Sequence, residues 1–116
     1  MHTPFDINPV LSLVDHDKET ATALLSMFLE QTPADLDMLH NYMQNSDWEG
    51  VYKTAHKMKS GVRTLGLKKL GENLFSLEQQ CRSLTNLDQV PEAIAAIRSQ
   101  LDHVFTDIRT LLDKGL

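Results

Sequence analysis

Of the five histidines in this 116-residue chain, His56 has the neighbours best suited to chemistry. It lies in Ala55-His56-Lys57-Met58-Lys59-Ser60-Gly61-Val62-Arg63-Thr64-Leu65-Gly66. Val51, Ala55, Met58 and Val62 fall at i, i+4, i+7 and i+11, the spacing of one apolar stripe on a helix. His56 is off that stripe. At about 100° per residue it is turned about 140° from Val51 and about 100° from Ala55, toward the edge of the buried face or into solvent. Tyr52, Lys59, Ser60 and Arg63 stand at i−4, i+3, i+4 and i+7, on the same side. The helix thus offers water an imidazole flanked by cations and a hydroxyl.

Such a group suits transfer chemistry. With an unperturbed pKa of about 6.5, a neutral imidazole is a competent nucleophile near neutral pH. A phosphoryl group on its nitrogen would add about −1.5 to −2 charges, which cations one turn away would stabilise. What is missing points the same way. No Asp or Glu stands three or four residues from His56 to orient it, no serine or cysteine nucleophile is paired with it, and no second histidine lies at metal-ligand spacing. These residues suit a histidine that receives a group and passes it on, without a metal of its own.

The pattern Ala55-His56-x-Met58-Lys59, then Leu65-Gly66-x-x-x-Leu70, then Leu77-Glu78 and Arg82, resembles the histidine-containing phosphotransfer (HPt) domains of multistep phosphorelays. The resemblance implies that His56 accepts a phosphoryl group from a receiver-domain aspartate and donates it to another receiver, and that Lys59 attends that group. It further implies that Glu78 and Arg82 face the histidine across a helix hairpin, Arg82 holding the phosphoryl group and Glu78 accepting a hydrogen bond from the imidazole. Read from the residues alone, Glu78 and Arg82 are as well explained as an i, i+4 surface ion pair worth a few tenths of a kcal/mol, about 0.3 to 0.5. One departure concerns docking. The family's usual glycine four residues after the histidine, which leaves room for a receiver, is Ser60 here, with Gly61 one place later. Tyr52 and Gly61 are assigned to the surface a receiver would cover.

Composition bounds the rest. The length fits one domain over residues 1–116, large enough for a core without staples. A net charge of −5 argues against nucleic acid, so any basic patch is local. No apolar run approaches the 18 or so residues of a membrane span, and no signal-peptide pattern is present. The single cysteine, Cys81, reads as a buried thiol in a reducing cytoplasm.

Helical punctuation is clear along the chain. Met1 to Asp6 reads as an irregular lead-in. Asn8-Pro9 predicts a capped short helix to about Val14, lying across a bundle end. Asp15 or Asp17 caps the next, with a stripe of Ala21, Leu24, Leu25, Phe28 and Leu29. Thr32-Pro33-Ala34-Asp35 is a restart signal, yet Leu36, Leu39 and Met43 keep the earlier phase, predicting a nearly collinear pair kinked at Pro33. Met27, Met38 and Met43 read as core or groove fillers. Ser46-Asp47-Trp48-Glu49 is a capping box opening the histidine helix, which Gly66 stops. Leu67, Leu70, Leu74, Leu77, Cys81 and Leu84 form the next stripe, and Gly71 within it predicts a close helix contact. After a polar stretch to Gln89, Pro91 opens a last helix with Ile94, Ile97, Leu101, Val104, Ile108 and Leu111 inward, closed by Gly115. His2, His16, His40 and His103 read as surface residues.

The expectation is an all-α protein: an antiparallel four-helix bundle with a short extra N-terminal helix and a Pro33 kink in its first long helix. Its partners would be receiver domains, which would bring the Mg²⁺, and the domain would be a cytoplasmic monomer touching neither nucleic acid nor membrane. Two other readings share these features: a chemotaxis-kinase-type phosphoacceptor domain fed by an ATP-dependent kinase domain, and a helical interaction module without chemistry. No ATP-binding kinase motif is present, so the expected setting is part of a sensor histidine kinase or a free-standing carrier.

Overall fold

A computed structural model describes residues 4–116, so His2 and the first residues of the lead-in lie outside the described residues. The helices run α1 Asn8–Leu13, α2 Lys18–Gln44, α3 Trp48–Thr64, α4 Lys68–Arg82 and α5 Val90–Lys114, with one 3₁₀ turn at Leu87–Gln89 before α5. Helices α2 to α5 form the bundle. Each packs on its neighbours around the ring, α2 on α3, α3 on α4, α4 on α5 and α5 back on α2, while α1 lies against α2. The body is elongated, 42 × 25 × 22 Å.

The stripes converge as their periodicity demands. Leu25, Leu36 and Leu39 from α2, Val51, Ala55 and Val62 from α3, Leu74 and Leu77 from α4, and Ile97, Leu101 and Ile108 from α5 are fully buried in one core. Cys81 is buried with them, and burial pushes its thiol up to about 11. It is a structural thiol.

Local signals were overridden where packing outweighed them. The restart at Thr32-Pro33 does not break the chain: α2 is one helix of 27 residues with Pro33 inside it. The lost hydrogen bond at proline is outweighed because Phe28, Leu36 and Leu39 hold one phase and bury together against the core. The caps of α1 and α3 sit one residue away from the expected places, while that of α2 is one of the two expected. Ile7 is the N-cap of α1, Pro9 falls in its first turn, and the Asp6 carboxylate accepts from Asn8 N at 3.0 Å. At α3 the cap is Asp47 rather than Ser46, accepting from Gly50 N at 2.9 Å, with Ser46 itself at φ 53°. Asp17, not Asp15, caps α2, and bonds from Thr20 hold its carboxyl below the usual range.

Three apolar expectations fail at element ends and edges. Leu84 is 62% exposed, because α4 stops at Arg82 and the chain turns through positive φ at Leu84 and Asn86. Met27 and Met38 are exposed on α2, pointing away from the stripe that α3 and α5 cover. Gly66 follows α3 at φ 77°, and a Cβ there would also strike Pro9 of α1, so the stop doubles as the seat of the short helix.

Candidate functional site

The α3–α4 hairpin, closed by the short turn at Leu65–Leu67, sets two helices side by side so that their outward edges meet residue by residue. Along this seam Tyr52 pairs with Arg82, His56 with Glu78, Lys59 with Phe75, and Arg63 with Gly71. Four positions on each helix, spaced three or four apart, make a ladder.

Glu78 occupies its centre. Its side chain is only 4% exposed, and its two oxygens take three partners. Oε1 accepts from Lys59 Nζ at 2.7 Å; Oε2 pairs with His56 Nδ1 at 3.0 Å and accepts from Arg82 Nη2 at 3.3 Å. Burial by itself raises the pKa of this carboxyl. Hydrogen bonds from Lys59 and His56 and the positive charge of Lys59 outweigh it, so the group lies below its usual value and is ionised at neutral pH. An ionised carboxylate can only accept, so Nδ1 of His56 must carry the proton. The lone pair of the neutral ring is therefore on Nε2.

The ring is held, yet not covered. The His56 side chain is 64% exposed, on a shallow depression lined by His56, Lys59, Ser60, Arg63 and Thr64. The orienter that α3 itself does not supply comes from 22 positions along the chain, on the next helix.

The cations differ from the simple expectation of solvated flanking charges. Lys59 is nearly sealed, its side chain 11% exposed between the Glu78 carboxylate and the Phe75 ring, whose centroid is 5.0 Å from Nζ. Arg82 is exposed and lies over the Tyr52 ring at 4.9 Å. Arg63 is exposed and its stem crosses Gly71, where a Cβ would come within 3.1 Å of Arg63 Cγ, which supplies the close contact expected of that glycine. Ser60 and Gly61 face solvent, and a Cβ on Gly61 would meet nothing. Gly61, one turn after Lys57, lines the groove between α3 and α2 with Phe28, Thr32 and Lys57, whereas the other site residues read from the sequence lie on or beside the α3–α4 seam. Phe75 was not among them. Its only signal was an aromatic off the core stripe, one turn before Glu78.

On the far side of α3, Lys57 Nζ reaches Asp35 of α2 at 3.2 Å, a tie between helices rather than part of the site. Among the described residues no group of three or more His, Cys, Asp or Glu side chains could hold a metal ion. No helix of the described residues is long and apolar enough to cross a membrane.

Comparison with known proteins decides the family: the model of the Hpt domain matches residues 23–107, from the second turn of α2 into α5. This chain belongs to the Hpt domain family. As an Hpt domain it is a phosphorelay intermediate of two-component signalling. Similar sequences include the virulence sensor protein BvgS of Bordetella pertussis, 25% identical over 116 residues and 97% of this chain. The BvgS protein of Bordetella bronchiseptica is likewise 25% identical, over 114 residues. This Hpt domain spans 9% of the length of either relative. Its fold matches the crystal structure of histidine-containing phosphotransfer protein B (HptB) from Pseudomonas aeruginosa PAO1. The TM-score is 0.76 at 24% identity, over 98% of this chain and 95% of that one.

Proposed function

We propose that this domain accepts a phosphoryl group on Nε2 of His56 from a receiver-domain aspartyl phosphate, and returns it to the aspartate of a second receiver. The observation that carries this reading is the pairing of an exposed imidazole with a buried carboxylate at Nδ1, which leaves Nε2 unprotonated and facing solvent. Nε2 attacks phosphorus, the N–P bond forms as the acyl P–O bond breaks, and the receiver's carboxylate leaves. The ring gains positive charge as it attacks, and Glu78, already hydrogen-bonded to Nδ1–H, offsets it.

Positioning and charge stabilisation do most of the work in a loose phosphoryl-transfer transition state. On this side of the interface Arg63 and Arg82 supply mobile charge at the rim, and Lys59 a fixed charge one turn from the ring. Ser60 and Tyr52 flank His56 one turn away on α3 and Gly61 lies further round the helix toward α2, and their small or flat outlines suit the face of a docked receiver. The Mg²⁺ needed for aspartyl-phosphate chemistry would come with the receiver. In this reading the domain works as a cytoplasmic monomer that binds no nucleic acid, within a hybrid sensor kinase or beside one.

Incubation with a phosphorylated receiver and no ATP is the test. Label should move to this domain in an alkali-stable, acid-labile form, and His56→Gln should abolish it while leaving the helical circular dichroism intact. Label that arrives only from an ATP-fed kinase domain, or that persists on His56→Gln, overturns the proposal.

A further inference from the structure

Phe75 is out of place by the ordinary rules of a helical bundle. It stands on α4 off the buried stripe of Leu70, Leu74, Leu77 and Cys81, and it is 44% exposed. Exposed aromatic surface carries a solvation cost, and α4 has polar residues at its other outward positions near it, Glu72, Ser76 and Gln79. What the ring touches accounts for it. The Lys59 ammonium lies over its face at 5.0 Å from the centroid, within the range of a cation–π contact, while the same ammonium donates to Glu78 Oε1 at 2.7 Å.

We propose that Phe75 is a positioning residue for phosphoryl transfer, acting through Lys59 and Glu78 on the imidazole of His56. The ring takes the place of water beside the ammonium, so Lys59 stays in one position and its pair with Glu78 is formed in a drier setting. Glu78 is thereby fixed at Oε1, and its other oxygen is held where Nδ1 of His56 needs it. The chain of contacts crosses the seam three times: Phe75 on α4, Lys59 on α3, Glu78 on α4, His56 on α3. Leucine at position 75 would still be apolar and would still exclude some water. It has no ring quadrupole to hold a cation.

The inference rests on the proposed role of His56, and the experiment separates the two. Transfer from phosphorylated receiver is followed in single-turnover mode across receiver concentrations, for the wild type, Phe75→Leu and Phe75→Tyr, each checked for an unchanged thermal melt. Phe75→Leu should slow the plateau rate about three- to tenfold with the half-saturating receiver concentration unchanged, and Phe75→Tyr should restore it to within about twofold. In parallel, the ¹⁵N-resolved Nδ1–H signal of His56 in the unphosphorylated domain should exchange with water faster in Phe75→Leu than in wild type or Phe75→Tyr. A wild-type plateau rate and wild-type exchange in Phe75→Leu overturn the proposal. So does a raised half-saturating concentration with the plateau unchanged in both variants, which would make Phe75 a docking contact. If His56→Gln still takes label, the acceptor assignment fails, and the exchange measurement still judges whether Phe75 positions the ring.

Discussion

Two seams of the bundle use the same helical geometry for different ends. Where α2 meets α5, the contact is apolar, with the Phe28 and Phe105 rings 5.8 Å apart and tilted by 56°. An ion pair there, Arg98 to Asp37 at 3.5 Å, joins a half-exposed arginine to an exposed aspartate. Where α3 meets α4, the inner edge is equally apolar, and the outer edge buries a carboxylate with an ammonium, an imidazole and a guanidinium on it. A bundle of this size does not need such a group to be stable. Removing a carboxylate from water costs several kcal/mol before its partners repay it, of order 3 to 5 if one is lost. The α2–α5 seam shows what stability alone selects; the α3–α4 seam departs from it at the one place where an imidazole must be aimed.

The comparison breaks most visibly if a core truncation disables transfer. Phe28→Ala should cost about 3–5 kcal/mol of unfolding free energy, read by denaturant melts, with the transfer rate per folded molecule unchanged. Glu78→Gln should do the reverse. Its amide can donate to Nδ1 and favour the wrong tautomer, so transfer should fall about 100-fold in a single-turnover assay, with a smaller loss of stability.

The next effect is a dependence on pH. The unfolded Glu78 carboxyl titrates near 4.5 and the folded one lower. As pH falls through that window the unfolded chain takes up the proton first, so the contribution of Glu78 is present above about 4.5 and is lost below it. Unfolding curves from about pH 6 to about pH 3 should therefore show the wild type converging on Glu78→Gln at the acid end. The smallest effect belongs to the other seam: Arg98→Ala should move stability by no more than about 0.5 kcal/mol and leave transfer untouched.

Much of this was legible in the chain. The stripes of α3, α4 and α5 follow from spacing alone, because burial imposes a period that local signals seldom defeat. The passage of α2 through Pro33 followed from the unbroken phase of Leu36 and Leu39, but the exact caps of α1 and α3 did not, since each depends on local packing that a capping motif does not contain. The site was half legible. His56 could be read as off-stripe and solvent-facing, and the resemblance supplied Glu78 and Arg82. Lys59 looked like a solvated flanking cation because helical phase places it beside His56; only the approach of α4 shows that Glu78 and Phe75 enclose it. Residues that meet across a hairpin carry no mark of each other in a helical wheel.

The central claim is that Nε2 of His56 is the reacting atom while Nδ1 stays protonated on Glu78. Long-range ¹H–¹⁵N correlation spectra of the phosphorylated domain, with ³¹P coupling, test it directly. Phosphorus should couple to Nε2 of His56, with Nδ1–H retained. Phosphorus on Nδ1, or on any other side chain, would contradict it.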